Sequence, residues 1–211
     1  MSRRARVVLA DDHTLVTEAL VTLLEPRFDV VATVADGRAL LKTVEELRPD
    51  VAVIDIAMPT LNGLDAARQI RVSTPECRLI FLTMAQDPDL AAEAFRLGAM
   101  GFLLKTSAGW ELLRAVDAAL RGRRYVTPTL RRSLEEQPDG DARAQHAELT
   151  PRQREVLRLL ASGRSMKQVA AELGLTTRTV AFHKYQMMGK FRLASNAELV
   201  QFAIRQGVIG S

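Results

Sequence analysis

The chain has 211 residues, 47% of them hydrophobic and 26% charged, which suffices for two small domains with buried cores. No apolar run approaches the roughly 18 residues of a membrane span, and Val7–Ala10, behind the basic stretch Met1–Arg6, is too short for a signal peptide. The lone Cys77 excludes an internal disulfide and a cysteine-based zinc site, so a cytoplasmic location is expected. The net charge of +4 divides unevenly: residues 1–124 carry 16 Lys/Arg against 17 Asp/Glu, residues 125–148 carry 3 against 5, and residues 149–211 carry 10 against 3. A basic C-terminal segment points to a polyanion partner for that segment alone, although a merely solvated basic face has the same charge.

Taken in chain order, five short runs rich in β-formers (Ala5–Ala10, Val30–Val34, Val51–Ile54, Leu79–Leu82 and Gly101–Leu104) are continuous rather than alternating, as strands buried on both faces are. Helix-length amphipathic segments at about 13–25, 37–47, 62–73, 87–97 and 108–121 separate them. The alternation predicts a five-stranded parallel, doubly wound α/β sheet of the flavodoxin-like kind over residues 1–124. Residues 125–148, with Pro128, Pro138 and Gly140, read as a linker with room for a short helix at 128–135. From Leu149 the pattern is helical. Thr150-Pro151-Arg152-Gln153, Ser165-Met166-Lys167-Gln168 and Ser195-Asn196-Ala197-Glu198 have the spacing of capping boxes, and Thr176 can cap a further helix. Residues 149–211 thus form a small all-α domain of four helices.

The predicted strand ends bring chemistry together. Strand one ends in Asp11-Asp12, strand three in Asp55, strand four in Thr83 and strand five in Lys105. Ligands sit at the carboxyl ends of such strands. Three carboxylates placed there repel one another unless a cation joins them, and hard oxygen donors suit Mg²⁺. With Mg²⁺ present, Asp55 can attack a phosphoryl group as a carboxylate nucleophile while Lys105 neutralises its oxygens. Singly, each residue has a plainer account: an Asp can cap the helix at His13, Thr83 is a β-former, and Lys105 can be solvated. Their joint placement favours the pocket.

The set Asp11-Asp12, Asp55-Ile56-Ala57-Met58-Pro59, Gly63, Thr83 and Phe102-Leu103-Leu104-Lys105 resembles the receiver domain of response regulators, over about residues 5–121. The resemblance implies that a sensor histidine kinase phosphorylates Asp55. It implies that Asp12, Asp55 and the Ala57 carbonyl hold Mg²⁺, with Asp11 acting through water. Thr83 would bond the phosphoryl group, Lys105 would pair with it, and Phe102 would turn inward as the threonine moves. Two residues depart from the commonest pattern: Met84 stands where a smaller side chain is usual, and Thr106 where proline is.

The second and third helices of the basic domain, at about 166–173 and 177–191, are joined by Gly174-Leu175-Thr176, a short turn suited to a helix-turn-helix. Along the third helix Val180, Lys184, Met187 and Phe191 form one stripe, expected to face the helical core with Lys184 able to extend outward. Arg178, Phe182, Tyr185 and Gly189 form another about 200° away, free to enter a major groove. The same pattern also fits an ordinary amphipathic helix with a dimer surface. Leu149–Leu157, Val169–Leu175, Arg178-Thr179-Val180 and His183-Lys184 resemble the LuxR-type helix-turn-helix of the NarL/FixJ class. That likeness implies binding to double-stranded DNA as a homodimer, with the fourth helix at 195–207 as a dimer surface. Arg178, Lys184 and Lys190 would meet phosphates, and Phe182 and Tyr185 base edges. Ala181 occupies a position that often carries a charged DNA-contacting side chain. Arg192 replaces the usual glycine after the helix, where a left-handed backbone is expected.

The expected function is therefore a phosphorylation-controlled transcription regulator, not an enzyme, with no membrane partner. A Mg²⁺-dependent phosphohydrolase would need a second acid two residues after the nucleophile, where Ala57 stands. A regulator of the same fold that needs no phosphorylation is the remaining alternative, and Met84 leaves room for it.

Overall fold

Valine, isoleucine and leucine crowd into short segments that cannot satisfy their backbone groups alone, and they pair as strands. These are β1 (Arg6–Ala10), β2 (Asp29–Val34), β3 (Val51–Asp55), β4 (Arg78–Thr83), β5 (Gly101–Leu104) and β6 (Tyr125–Val126). The computed structural model describes residues 3–84, 86–135 and 149–209. The chain divides into two compact units, Met1–Glu136 and Gln137–Ser211.

In the first unit every strand pair is parallel and the order is β2-β1-β3-β4-β5-β6. The intervening helices are α1 (Thr14–Leu24), α2 (Gly37–Leu47), α3 (Gly63–Ser73), α4 (Pro88–Arg96) and α5 (Ala108–Leu120). α1 packs against α5, and α2 against α3. Alternate strand residues Val7, Leu9, Val51, Val53, Ile80, Leu82 and Leu103 join Leu20, Leu24, Leu112 and Val116 in one core. The neighbouring residues Val8, Ile54, Phe81 and Phe102 are just as buried, on the opposite face. A sheet covered on both faces explains the continuous apolar runs.

Among the described residues the sheet has six strands, which corrects the expected five. Tyr125 and Val126 pair in parallel with Gly101 and Phe102. Two residues followed by Thr127-Pro128 give no apolar run, so the signal of a strand is missing. Thr127 carbonyl then accepts from the Leu130 and Arg131 N–H groups, starting α6 (Pro128–Glu135). α6 packs against α4, so the first part of the expected 125–148 linker is built into the sheet unit; 136–148 lie outside the described residues.

The second unit is a bundle of α7 (Pro151–Ala161), α8 (Met166–Leu173), α9 (Thr177–Lys190) and α10 (Asn196–Arg205). Thr150 with Gln153, and Ser165 with Gln168, form full capping boxes, and Thr176 accepts from the Thr179 N–H. Each cap is worth about 1 kcal/mol. At α10 the expected box takes a different form: Ser195 accepts from the Glu198 N–H, but the Glu198 carboxylate accepts from the Ala194 N–H. Gly174 ends α8 in the left-handed region at φ 64°. Arg192 does the same after α9 at φ 55°. Val156, Leu157, Leu159, Val169, Val180, Met187, Leu199 and Phe202 fill the core.

Candidate functional site

The order β2-β1-β3 reverses direction between β1 and β3, and the crevice outside those strand ends is where α/β sheets bind ligands. Asp11 and Asp12 follow β1, Asp55 closes β3, Thr83 closes β4 and Lys105 follows β5. Asp11 and Asp55 are almost completely buried. The Lys105 ammonium lies 2.7 Å from Asp11 Oδ2 and 2.9 Å from Asp55 Oδ2, its own side chain only 5% exposed. The Ala57 N–H donates to Asp55 Oδ1 at 3.1 Å. Burial pushes the Asp55 carboxyl above its ordinary value of 3.8; Lys105 opposes this rise and the Asp11 charge adds to it.

Gly63 allows this loop to close. A Cβ there would come within 2.2 Å of the Asp55 carbonyl oxygen. Between them Thr60 has a left-handed φ of 64°, a conformation costly for a residue other than glycine and found at functional turns.

One residue joins the pocket that sequence reasoning treated only as a helix start. His13 Nδ1 lies 3.0 Å from Asp11 Oδ1 and 3.0 Å from Asp12 Oδ1. Ligand atoms of Asp11, Asp12, His13 and Asp55 all lie within 4.8 Å of one another. The donor set fits a divalent cation: carboxylates dominate it, and an ammonium already balances two of them. The adjacency of His13 to the two acids was the available signal.

Phe102 is fully buried, with its ring 6.4 Å from that of Phe95 on α4. Thr83 is buried and Met84 beside it is exposed. Behind Lys105 lies a polar link with no counterpart in the sequence reading. The Thr127 hydroxyl accepts from the Leu104 N–H at 3.2 Å and donates to Glu111 Oε2 at 2.6 Å. The Thr127 N–H donates to the Phe102 carbonyl. Both side chains are buried, so the chain leaving the sheet is pinned to the strand that carries Phe102 and precedes Lys105.

In the second unit α8, the Gly174 turn and α9 have the helix-turn-helix arrangement. The buried face of α9 is Thr179, Val180, His183 and Met187; His183, rather than Lys184, completes it. Arg178, Tyr185 and Gly189 are exposed, and Ala181, Phe182, Lys184 and Lys190 are half-buried. Tyr185 is 59% exposed, with the Lys184 ammonium 5.2 Å from its ring centre. The space beside Gly189 is open. The Gln153 amide of the α7 cap donates to Gln186 Oε1 at 2.6 Å, fixing α9 against α7.

A parallel α/β unit with buried acids and a lysine at its strand ends, joined to a helix-turn-helix unit, defines a two-domain response regulator. Residues 7–117 match the response regulator receiver domain, and residues 147–203 the bacterial regulatory proteins of the luxR family. The oxygen regulatory protein NreC of Staphylococcus aureus is 34% identical, over 97% of this chain and 99% of the relative. Among solved structures, the RcsB response regulator of Salmonella typhimurium is 26% identical over 95% of this chain and 98% of that one, with a TM-score of 0.60. A structure of two RcsB dimers bound to two parallel DNAs is 25% identical over 99% of this chain and 100% of that one, with a TM-score of 0.62. The chain belongs to the NarL/FixJ class of two-component response regulators, DNA-binding transcription regulators controlled by phosphorylation rather than a class of enzymes. Among the described residues no helix is long and apolar enough to cross a membrane.

Proposed function

We propose that Asp55 accepts a phosphoryl group from a sensor histidine kinase, and that this controls dimerisation, exposure of the α9 face, or both. The observation that carries the reading is the Lys105 ammonium set between two buried carboxylates, Asp11 and Asp55, at the strand ends. Asp12, Asp55 and the Ala57 carbonyl would hold Mg²⁺, with Asp11 acting through water. When bound, Mg²⁺ supplies positive charge to the phosphoryl oxygens and offsets the repulsion between the Asp55 and Asp11 carboxylates.

In the transfer the N–P bond of phosphohistidine breaks, an O–P bond forms at an Asp55 carboxylate oxygen, and the imidazole leaves. Lys105 moves from pairing Asp55 to pairing the phosphoryl group. The Thr83 hydroxyl donates to a phosphoryl oxygen, and Phe102 on the adjoining strand follows it. A phosphoryl group that bonds one arrangement better than the other shifts the population between them.

Arg178, Lys184 and Lys190 would meet DNA phosphates, while Phe182 and Tyr185 touch base edges beside the small Ala181. Two copies place two such helices about one DNA turn apart, in keeping with the dimers of the RcsB relative on DNA. The work is cytoplasmic, where kinase domain and DNA are both accessible. Selection from a random duplex library tests this directly. Wild type treated with a small phosphodonor should enrich one paired motif, and Asp55→Asn should enrich it no better than untreated protein. Equal enrichment by both would reject control through Asp55.

A further inference from the structure

The acidic pocket contains a donor that its oxygen ligands do not require. His13 sits at the start of α1, its backbone N–H donating to Asp11 Oδ1 at 3.0 Å. That bond turns the imidazole toward both acids, so that Nδ1 lies 3.0 Å from Asp11 Oδ1 and 3.0 Å from Asp12 Oδ1. Lys105 takes the other oxygen of Asp11, Oδ2. The ammonium and the imidazole therefore approach opposite oxygens of one carboxylate and do not compete.

An octahedral ion with bonds of about 2.1 Å sets adjacent ligand atoms about 3.0 Å apart and opposed ones about 4.2 Å apart. The His13–Asp12 separation matches two adjacent positions, with Asp11 reaching the ion through water. The imidazole is more than half exposed, so it can rotate onto an ion entering from solvent without disturbing the core.

We propose that His13 is a direct ligand of the divalent cation, through Nδ1, and that it makes the pocket prefer transition-metal cations such as Mn²⁺ over Mg²⁺. The inference rests on the reading of the pocket as a cation site. Mg²⁺ binds nitrogen poorly and keeps oxygen or water in its shell, whereas first-row transition cations accept imidazole. His13 would thus add affinity for one class of ion and little for the other.

The test uses the full-length chain, metal-free, titrated separately with Mn²⁺ and Mg²⁺, followed by pulsed electron paramagnetic resonance of the Mn²⁺ form. Wild type should show a directly bonded nitrogen. His13→Ala should lose that signal and about 10-fold or more in Mn²⁺ affinity, while Mg²⁺ affinity changes less than about 3-fold. His13→Gln, which offers an amide oxygen, should also lose the nitrogen signal while holding Mg²⁺. Mn²⁺ bound with no nitrogen coupling, or equal losses for both ions in His13→Ala, would overturn the role of His13 and leave the cation site standing. Binding of neither ion by wild type would overturn both.

Discussion

The proposed mechanism needs the buried Asp55 to act as a nucleophile, and burial and nucleophilicity conflict. The Asp55 carboxyl is raised above 3.8 by burial, with Lys105 opposing and Asp11 adding to the rise. In metal-free protein the folded state therefore binds this proton more readily than the unfolded chain. That stabilises folding below the folded pKa, and the advantage is lost as pH rises through it. Asp55→Asn removes the buried charge, so at neutral pH the melting temperature of the metal-free chain should rise. The gain should shrink as pH falls toward 3.8; a gain equal at all pH would assign it to packing. Gly63 acts on the same residue through sterics. In Gly63→Ala the new Cβ would meet the Asp55 carbonyl at 2.2 Å, so the loop must shift, at a cost of roughly 2–3 kcal/mol in urea denaturation. An unchanged midpoint would mean the loop gives way freely.

At the scale of elements, β5 is held from two sides: by the sheet, and by Thr127, which receives the Leu104 N–H and donates to buried Glu111. Thr127→Val keeps the shape and leaves both groups without the hydroxyl, which should cost about 1–3 kcal/mol, while Thr127→Ser should restore most of it. If valine costs nothing, water replaces the hydroxyl and the link is incidental. The strand ends carrying Asp11, Asp55, Thr83 and Lys105 were legible because each closes a continuous apolar run. β6 was not, because Tyr125-Val126 is too short to have a pattern and Pro128 follows it. His13 was hidden by its second role, since a residue opening a helix already has a sufficient explanation. In α9 the alternation of faces was read with Lys184 on the core side; His183 is fully buried there instead, and an imidazole among apolar residues is not announced by hydropathy. Arg192 was legible: its place after α9, where glycine is usual, coincides with the left-handed backbone at φ 55°. Arg192→Gly should accordingly stabilise the chain by about 1 kcal/mol, read as a higher urea midpoint; a lower one would show that the arginine side chain contributes more than its backbone costs.

For the whole molecule, charge is divided by task. The sheet unit holds an acidic pocket, and residues 149–211 carry 10 Lys/Arg against 3 Asp/Glu. If Arg178 meets a DNA phosphate, Arg178→Ala should weaken binding to all duplexes alike and lower the log–log salt slope by about 0.9. Tyr185→Ala should instead reduce discrimination between duplex sequences; loss of affinity at every site with unchanged preference would place Tyr185 on the backbone. In the proposed mechanism both effects depend on a signal that begins at Asp55. The most direct test of that origin is the intact mass of the full-length chain after incubation with Mg²⁺ and a small phosphodonor, beside Asp55→Asn. The account predicts one added phosphoryl group on wild type and none on the variant. A phosphoryl group on both, or none on wild type even with a cognate kinase, would contradict it.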